Sequence, residues 1–411
     1  MLNPARFIKG QPREKSKHIT DIVIYLSLKW HASHRRMLYR EIARQGLGKI
    51  RILCIDRPLC PLVTMLTRPL RIIHWLRNRG RIKTIEKNLF IYTPWVFFHD
   101  QLALNMPFII KLNRRLLSWQ IRKQVRRLNF NPQRIMTWIA EPLQYDWLQL
   151  LAESGFIYEC YDEYAEYPGY SSSRIEKIRR YEQKVLVQAK IVLTTSRNLL
   201  KSKGRINKDV RYIPNAVEFA HFSKALLRDT GIPPDLAGIH TPRIGFIGGI
   251  FGIVDLALLS YLADRLPEVS LVMVGGVDRR NKKFFSAFRN LIKKRNTYYM
   301  GKKAYEILPH YLKGLDVCLL PYRLNKWTEN CCPSKLYQYL AGGKPVVSTP
   351  LPEIMRFEGV VKVGRSFEEF SLKVEEAFRE NEYRQRHKRI KVAWKNRWAR
   401  RAKEVIDAVA V

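Results

Sequence analysis

Apolar positions along this chain fall into short continuous runs rather than alternating ones. The first set comprises Asp21–Leu28, Lys49–Ile55, Asn88–Tyr92, Arg134–Ile139, Phe156–Cys160, Lys190–Thr194 and Val210–Ile213. A second set follows at Arg243–Ile247, Val269–Val274, Thr297–Met300, Asp316–Leu320, Pro345–Ser348 and Val360–Val363. Continuous runs of this length predict parallel strands covered on both faces. The stretches between them carry helical amphipathic spacing, so the order predicts repeated strand–helix–strand units. Two such arrays imply an α/β chain with two doubly wound, Rossmann-like parallel sheets. Between them, Ser223–His240 holds Gly231-Ile232-Pro233-Pro234 and Gly238, which predicts a connecting loop. The expected divisions are a basic segment at 1–19, a first domain at 20–225 and a linker at 226–241. A second domain at 242–380 and a basic helix at 381–411, returning towards the first domain, complete them. In such an arrangement a ligand belongs in the cleft at the carboxyl ends of the strands.

Length supports this division, because 411 residues exceed what one hydrophobic core usually serves. A hydrophobic fraction of 46% excludes a disordered basic tail. Charge changes the picture more. Seventy-four Lys and Arg against 36 Asp and Glu give a net +38, a field attractive to nucleic acid, anionic lipid or diphosphate alike. The six cysteines include no C-x-x-C pair, so zinc and dithiol redox chemistry are not indicated, and reduced intracellular thiols are expected. Residues 1–18 are basic and lack the apolar core of a secretory signal. No run of about 18 apolar residues predicts a spanning helix. Membrane contact, if made, is expected at the surface.

Three basic stretches bear on that contact. Arg68–Lys83 and Lys111–Arg127 interleave Leu, Ile and Trp with Arg and Lys. Each fits an interfacial membrane helix, and each equally fits an ordinary helix packed on its sheet with a solvated basic face. Arg384–Lys403 carries Trp394 and Trp398 at helical spacing, which suits packing anchors better than base stacking.

Two segments carry chemistry. Gly245-Phe246-Ile247-Gly248-Gly249-Ile250 follows the first strand of the second set and precedes a helical pattern, letting backbone approach a ligand closely. It lacks the spacing of a dinucleotide fingerprint. In the other, a strand ends near Leu320 and a loop with Arg323 follows. Pro333 then opens a helix whose first turn holds Ser334 and Lys335, and Gly342-Gly343 ends it. A hydroxyl, an ammonium and free N–H groups at one helix start, with an arginine opposite, suit a diphosphate. Gln338, one turn on, is placed to reach a ribose hydroxyl.

Cys318–Pro352 resembles the donor-binding region of glycosyltransferase family four and related bacterial surface-polysaccharide transferases of the teichuronic-acid and exopolysaccharide type. The resemblance extends in order through "YECYDEYAEYPG", "VLTTSRNL", "YIPNAVEFAHF", "FIGGI" and "LVMVGG". It implies the GT-B fold, with the nucleotide sugar on the second domain and the acceptor mostly on the first. By similarity Arg323 and Lys335 would contact the phosphates, Ser334 and Leu336 would add hydroxyl or backbone contacts, and Gly248 and Gly249 would face the donor. The family implies a UDP- or GDP-sugar as substrate, no cofactor, no metal and retention of configuration. The chain departs from the family in having amides at Asn330 and Gln338, where two glutamates are common. The Arg/Lys pair usual after the first strand of the second domain is absent from "GGIFGIVD", which leaves Lys335 and Arg323 as the expected phosphate cations.

On the first domain, Asp162 and Glu163 end a strand-like run and could orient an acceptor hydroxyl or take its proton; as surface acids they would do neither. His31 and His34 follow the first strand, and Glu141 ends another; each is an acceptor-side candidate or a solvated loop residue. The reading is a cytoplasmic glycosyltransferase, peripheral on the inner face of the cell membrane. It would pass a sugar from a nucleotide sugar to a lipid-linked or polysaccharide acceptor. Nucleic-acid binding driven by charge has no recognition motif behind it. A GT-B epimerase or an inactive homologue is the remaining alternative.

Overall fold

A computed structural model describes residues 20–33, 35–67, 80–98, 106–148, 150–151, 155–380 and 383–409. His34, the segment 1–19 and most of Arg68–Lys83 lie outside the described residues.

The described chain forms two sheets. The first contains β1 (Thr20–Tyr25), β2 (Ile50–Ile55), β3 (Lys83–Glu86), β4 (Leu89–Tyr92), β5 (Ile135–Ile139), β6 (Gly155–Cys160), β7 (Ile191–Thr194) and β8 (Val210–Tyr212). Their spatial order is β3-β4-β2-β1-β5-β6-β7-β8. All neighbours are parallel except β3 and β4. The second sheet holds β9 (Arg243–Ile247), β10 (Ser270–Val274), β11 (Thr297–Gly301), β12 (Val317–Leu320), β13 (Val346–Ser348) and β14 (Lys362–Val363), in the order β11-β10-β9-β12-β13-β14 and parallel throughout. In each sheet the order reverses beside the first strand, at β1/β5 and at β9/β12. Such reversals open a crevice at the strands' carboxyl ends.

Each continuous apolar run became a strand because both faces are covered. The first sheet has separate cores on its two faces, one around Tyr25, Leu53 and Tyr158, the other around Ile24, Ile52 and Trp138. The second sheet shares one core that includes Phe246, Met273, Leu319 and Leu340. Among the described strands, only β3 escaped the sequence reading. It is a four-residue edge strand, antiparallel to β4 and largely exposed, so it carries no apolar run to betray it.

The helices used below are α1 (Arg36–Gln45), α2 (Pro61–Thr67), α3 (Pro107–Arg127), α4 (Ser172–Gln188), α5 (Arg197–Lys203), α6 (Leu256–Arg265), α7 (Lys282–Leu291), α8 (Ser334–Ala341), α9 (Phe367–Arg379), α10 (Tyr383–Lys395) and α11 (Trp398–Val409). Side-chain caps start several of them. Ser171, Ser196, Asp255, Asn281 and Ser366 each accept from an N–H of the first turn. The chain also crosses between the halves. Val217, Phe222 and Ala225 pack into the second core, while Trp398, Ala402, Val405 and Val409 of α11 pack beside α1 in the first. Polar bonds join the halves too. The Glu353 carboxylate accepts from the Arg197 N–H at 2.6 Å and the Tyr212 hydroxyl at 2.7 Å. Asn198 donates to the Glu329 carbonyl at 2.8 Å.

Candidate active site in the cleft between the sheets

Three βα turns at the carboxyl edge of the second sheet are glycines: Gly248 after β9, Gly275-Gly276 after β10, and Gly301 ending β11. Two of these are required by close approach. Gly275 has φ of +150°, and a Cβ there would lie 1.8 Å from the Gly248 carbonyl oxygen. Gly248 has φ of +156°, and a Cβ there would lie 1.8 Å from Lys335 Cε. The second contact matters chemically, because the absent side chain is what lets Lys335 lie across the end of β9.

Lys335 sits in the first turn of α8, whose N-cap is Pro333 and which has no side-chain cap. The helix start therefore keeps its positive end uncapped by any side chain. The Lys335 ammonium is 5.5 Å from the centre of the Phe246 ring. Among the described residues it has no carboxylate partner. Burial pushes its pKa down to about 8, only partly offset by the nearby Cys331 sulfur.

Asp162 approaches from the first sheet. It follows β6, and its carboxylate accepts a weak bond from the Cys331 thiol at 3.7 Å across the cleft. Burial pushes the Asp162 carboxyl up to about 7, against the lowering effects of Cys331 and Arg35. Cys331 in turn has its thiol raised by burial and by the Asp162 charge. A nearly neutral-range acid and a nearly neutral-range amine thus meet near one thiol. Titratable groups perturbed by desolvation and a specific neighbour, sitting in a cleft, are candidates for a functional site.

The structure brings some candidates together and separates others. His31, Ser334 and Gln338 line one cleft of about 370 Å³, together with Arg36, Glu218 and Tyr305. This joins the loop after β1 to the first two turns of α8. A Cβ added at Gly249 would lie 3.4 Å from the Phe251 ring. Beside it, Ile250, Phe251, Gly276, Arg279, Arg280 and Tyr167 line a second cleft of about 530 Å³, with Tyr167 contributed by the first half.

Three placements, those of Glu163, Leu336 and Arg323, differ from the expected roles, while Glu141 stands at a strand end as expected. Glu163 turns away from the cleft and pairs with Lys203 at 2.9 Å, in a buried cluster with Glu182. Asp162 alone is left as the acid of that pair. Leu336 is 1% exposed and packs in the core, and its N–H is taken by the Pro333 carbonyl. Glu141 starts a short 3-10 turn at the end of β5 and faces Arg57 at 3.5 Å, with burial raising its carboxyl. Arg323 is exposed and lines a groove of about 470 Å³ with Leu256, Ser260, Asn290 and Lys294, on the α6–α7 side of the sheet. α8 packs on the opposite side, so Arg323 is not the arginine facing Lys335. The loop after Leu320 curls back towards α6, with Arg323 N–H bonded to Ile253, and this carries the side chain away.

Several site residues were not singled out from sequence. Cys331 reaches Asp162 only through the approach of the two halves. Arg35 donates to Asn215 at 3.1 Å and ion-pairs with Glu159, while Asn215 donates to the Cys332 carbonyl at 2.6 Å, bracing the loop that precedes α8. The aromatic set Tyr167, Phe251 and Trp327 crosses the cleft, with Tyr167 and Trp327 ring centres 5.3 Å apart. Gly275-Gly276 had a signal available, since they follow β10 as Gly248-Gly249 follow β9. Among the described residues no three His, Cys, Asp or Glu groups are placed to hold a metal ion.

Comparison with known proteins bears on the fold that holds this cleft. Residues 241–378 match the family model "Glycosyl transferases group 1". TuaH of Bacillus subtilis (strain 168), assigned as a teichuronic acid biosynthesis glycosyltransferase, is 28% identical over 227 residues, 52% of this chain. The chain spans about half the length of that relative, 53%. Among solved structures, the sucrose-phosphate synthase of Thermosynechococcus elongatus superposes with a TM-score of 0.65 at 13% identity, covering 94% of this chain and 97% of its own. The Anabaena protein HepE, solved with UDP and glucose, superposes at 0.62 and 12% identity, covering 96% of this chain and 100% of its own. The fold is therefore GT-B, and residues 241–378 carry the match to the group 1 glycosyl transferase model.

Proposed function

We propose that this protein transfers a sugar from a nucleoside-diphosphate sugar to a glycan or lipid-linked acceptor of cell-surface glycan synthesis. The observation that carries the reading is Lys335, an ammonium with no carboxylate partner among the described residues, laid over Gly248 at the uncapped start of α8. A half-buried, desolvated cation left unpaired is costly unless an anion arrives to pair with it. A diphosphate at this point gains the ammonium, the positive end of the helix and the close backbone of Gly248 together. The name of the TuaH relative, and the UDP and glucose in the HepE crystal, favour the same chemistry.

In the reaction the bond from the sugar's anomeric carbon to the diphosphate oxygen breaks, and a bond to the acceptor oxygen forms. Lys335 would hold the charge that develops on the departing diphosphate, the largest single contribution such a site usually makes. This assigns to a side chain the role a divalent cation fills elsewhere, hence transfer without a metal. Ser334 and Gln338, lining the cleft beside it, would bond donor hydroxyls. Asp162, across the cleft, would take the acceptor hydroxyl's proton at some stage of transfer. Retention of configuration is part of this proposal by family resemblance. The acceptor-side positions assigned to it are His31 and Glu141.

Thermal denaturation with UDP, GDP, ADP and their sugars tests the reading. One nucleotide should raise the melting temperature, and Lys335→Ala should remove most of the gain. If no nucleotide shifts the wild-type protein, the donor-site reading fails.

A further inference from the structure

α3 is a helix of 21 residues with seven Lys or Arg and no Asp or Glu. Its inner face is settled: Leu117, Ile121 and Val125 pack in the first core, and Gln120 bonds to both the N–H and the carbonyl of Trp95. The outer face differs from an ordinary solvated one. Phe108 is 76% exposed and Trp119 is 59% exposed. Eleven residues apart, they stand on one line of the helix, about three turns and about 16 Å from each other. Lys111, Arg115, Arg122, Lys123 and Arg126 are exposed around that line. Of these, Arg122 donates to the Leu150 carbonyl and Lys123 lies over the Trp119 ring. None of the five has a carboxylate partner among the described residues. Arg114, at the side of the helix, does pair with a carboxylate, Asp146, at 2.6 Å.

The apolar exposure continues beyond α3. The Phe98 carbonyl accepts from Asn113 of α3, and the Phe97 carbonyl accepts from Cys60, the residue before α2. Phe97 and, on α2, Met65 and Leu66 are exposed in turn. These segments follow β2 and β4, so they stand at the carboxyl edge of the first sheet, the edge that faces the cleft. Isolated exposed apolar residues are ordinary on protein surfaces. Aromatic residues ringed by unpaired cations, along a helix without acids and beside an apolar rim, are the arrangement an anionic bilayer surface selects.

We infer that the outer face of α3, with the Phe97 and α2 rim, docks on an anionic phospholipid bilayer, seating Phe108 and Trp119 among the headgroups. The bilayer then lies next to the edge of the first sheet where an acceptor would enter. That last consequence rests on the transferase reading; the docking itself does not.

Sedimentation of the full chain with vesicles tests this. Vesicles of phosphatidylcholine with 30% phosphatidylglycerol should capture the wild type, and vesicles of phosphatidylcholine alone should capture about tenfold less. Phe108→Ser with Trp119→Ser, and separately Lys111→Gln with Arg115→Gln and Arg126→Gln, should each weaken capture by about tenfold or more. All these positions are exposed, and an unchanged melting temperature would show that the variants fold. A comparison set on α10, Arg384→Gln with Lys388→Gln and Lys391→Gln, should change capture by less than about threefold. Loss in the α10 set but not in the α3 sets would overturn the assignment, as would equal capture by both vesicle types. So would capture of a short RNA duplex that competes with vesicles and needs the same α3 residues. Nucleotide thermal shifts in the α3 variants separate the two proposals: a retained shift with lost capture supports docking whatever the donor, whereas a lost shift concerns only the donor site.

Discussion

Two settings of desolvated cations in this protein contrast sharply. In the first half, Arg35 is paired with Glu159, and Lys203 lies 2.9 Å from both Glu163 and Glu182. In the second half, Lys335 is half-buried at the cleft and has no carboxylate partner among the described residues. The neighbours of Lys203 raise its pKa above the ordinary lysine value, whereas burial lowers that of Lys335 to about 8. The difference shows which charge the fold has consumed and which it holds ready. A paired cation is satisfied by the chain itself, and an unpaired one lowers its cost only when an anion arrives. The same logic separates the adjacent acids, since Glu163 is spent on Lys203 while Asp162 faces the cleft.

The contrast can be broken from either side. The largest effect is expected from Arg35→Met, which strands a fully buried Glu159 and should cost about 3–5 kcal/mol of stability in urea unfolding. Little loss there would mean the pair is not structural. Lys335→Ala should do the opposite, lowering kcat by about 10²–10³-fold while leaving the melting temperature unchanged or raised. A variant that merely unfolds would refute the assignment of this charge to ligand.

Third comes pH. Asp162 must be ionised to take a proton and Lys335 protonated to hold a diphosphate, so kcat/KM should rise through about pH 7 and fall above about pH 8. Asp162→Asn should abolish the rising limb. The stability sign is also fixed. A carboxyl raised in the folded state stabilises below its unfolded value, and that contribution is lost as pH rises through about 7. Between pH 4 and pH 7 the asparagine variant should therefore lose less stability than the wild type, by thermal melting.

Gly248→Ala should have a smaller effect, about 1–3 kcal/mol from backbone strain, with donor affinity falling as the Lys335 stem is displaced. Unchanged nucleotide affinity would show that the close approach is incidental. Smallest of all is Arg323→Ala. The side chain is exposed on the α6–α7 side, so kcat/KM should stay within about twofold. A loss matching Lys335→Ala would return Arg323 to the site.

Much of the fold was legible because parallel strands buried on both faces leave uninterrupted apolar runs. Edge strand β3 was not legible, since a half-exposed strand leaves no such run. At the site, the helix start carrying Ser334 and Lys335 could be read locally, because Pro333 and Gly342-Gly343 bound it. Arg323 could not, since two residues of loop geometry decide which side of a sheet an arginine reaches. Nor could the loss of Glu163 to Lys203, forty positions away in the chain.

The sequence by itself determined two doubly wound sheets, the glycine turns after strands of the second, and a lysine at the start of α8. Spacing and residue type settle those features, because helix and strand geometry are local. Only the tertiary structure decided that Lys335 lies over Gly248 unpaired, that Asp162 meets Cys331 across the cleft, and that Arg323 stands apart. Those facts depend on which charges burial brings within a few ångströms of each other, and no local pattern fixes a long-range distance.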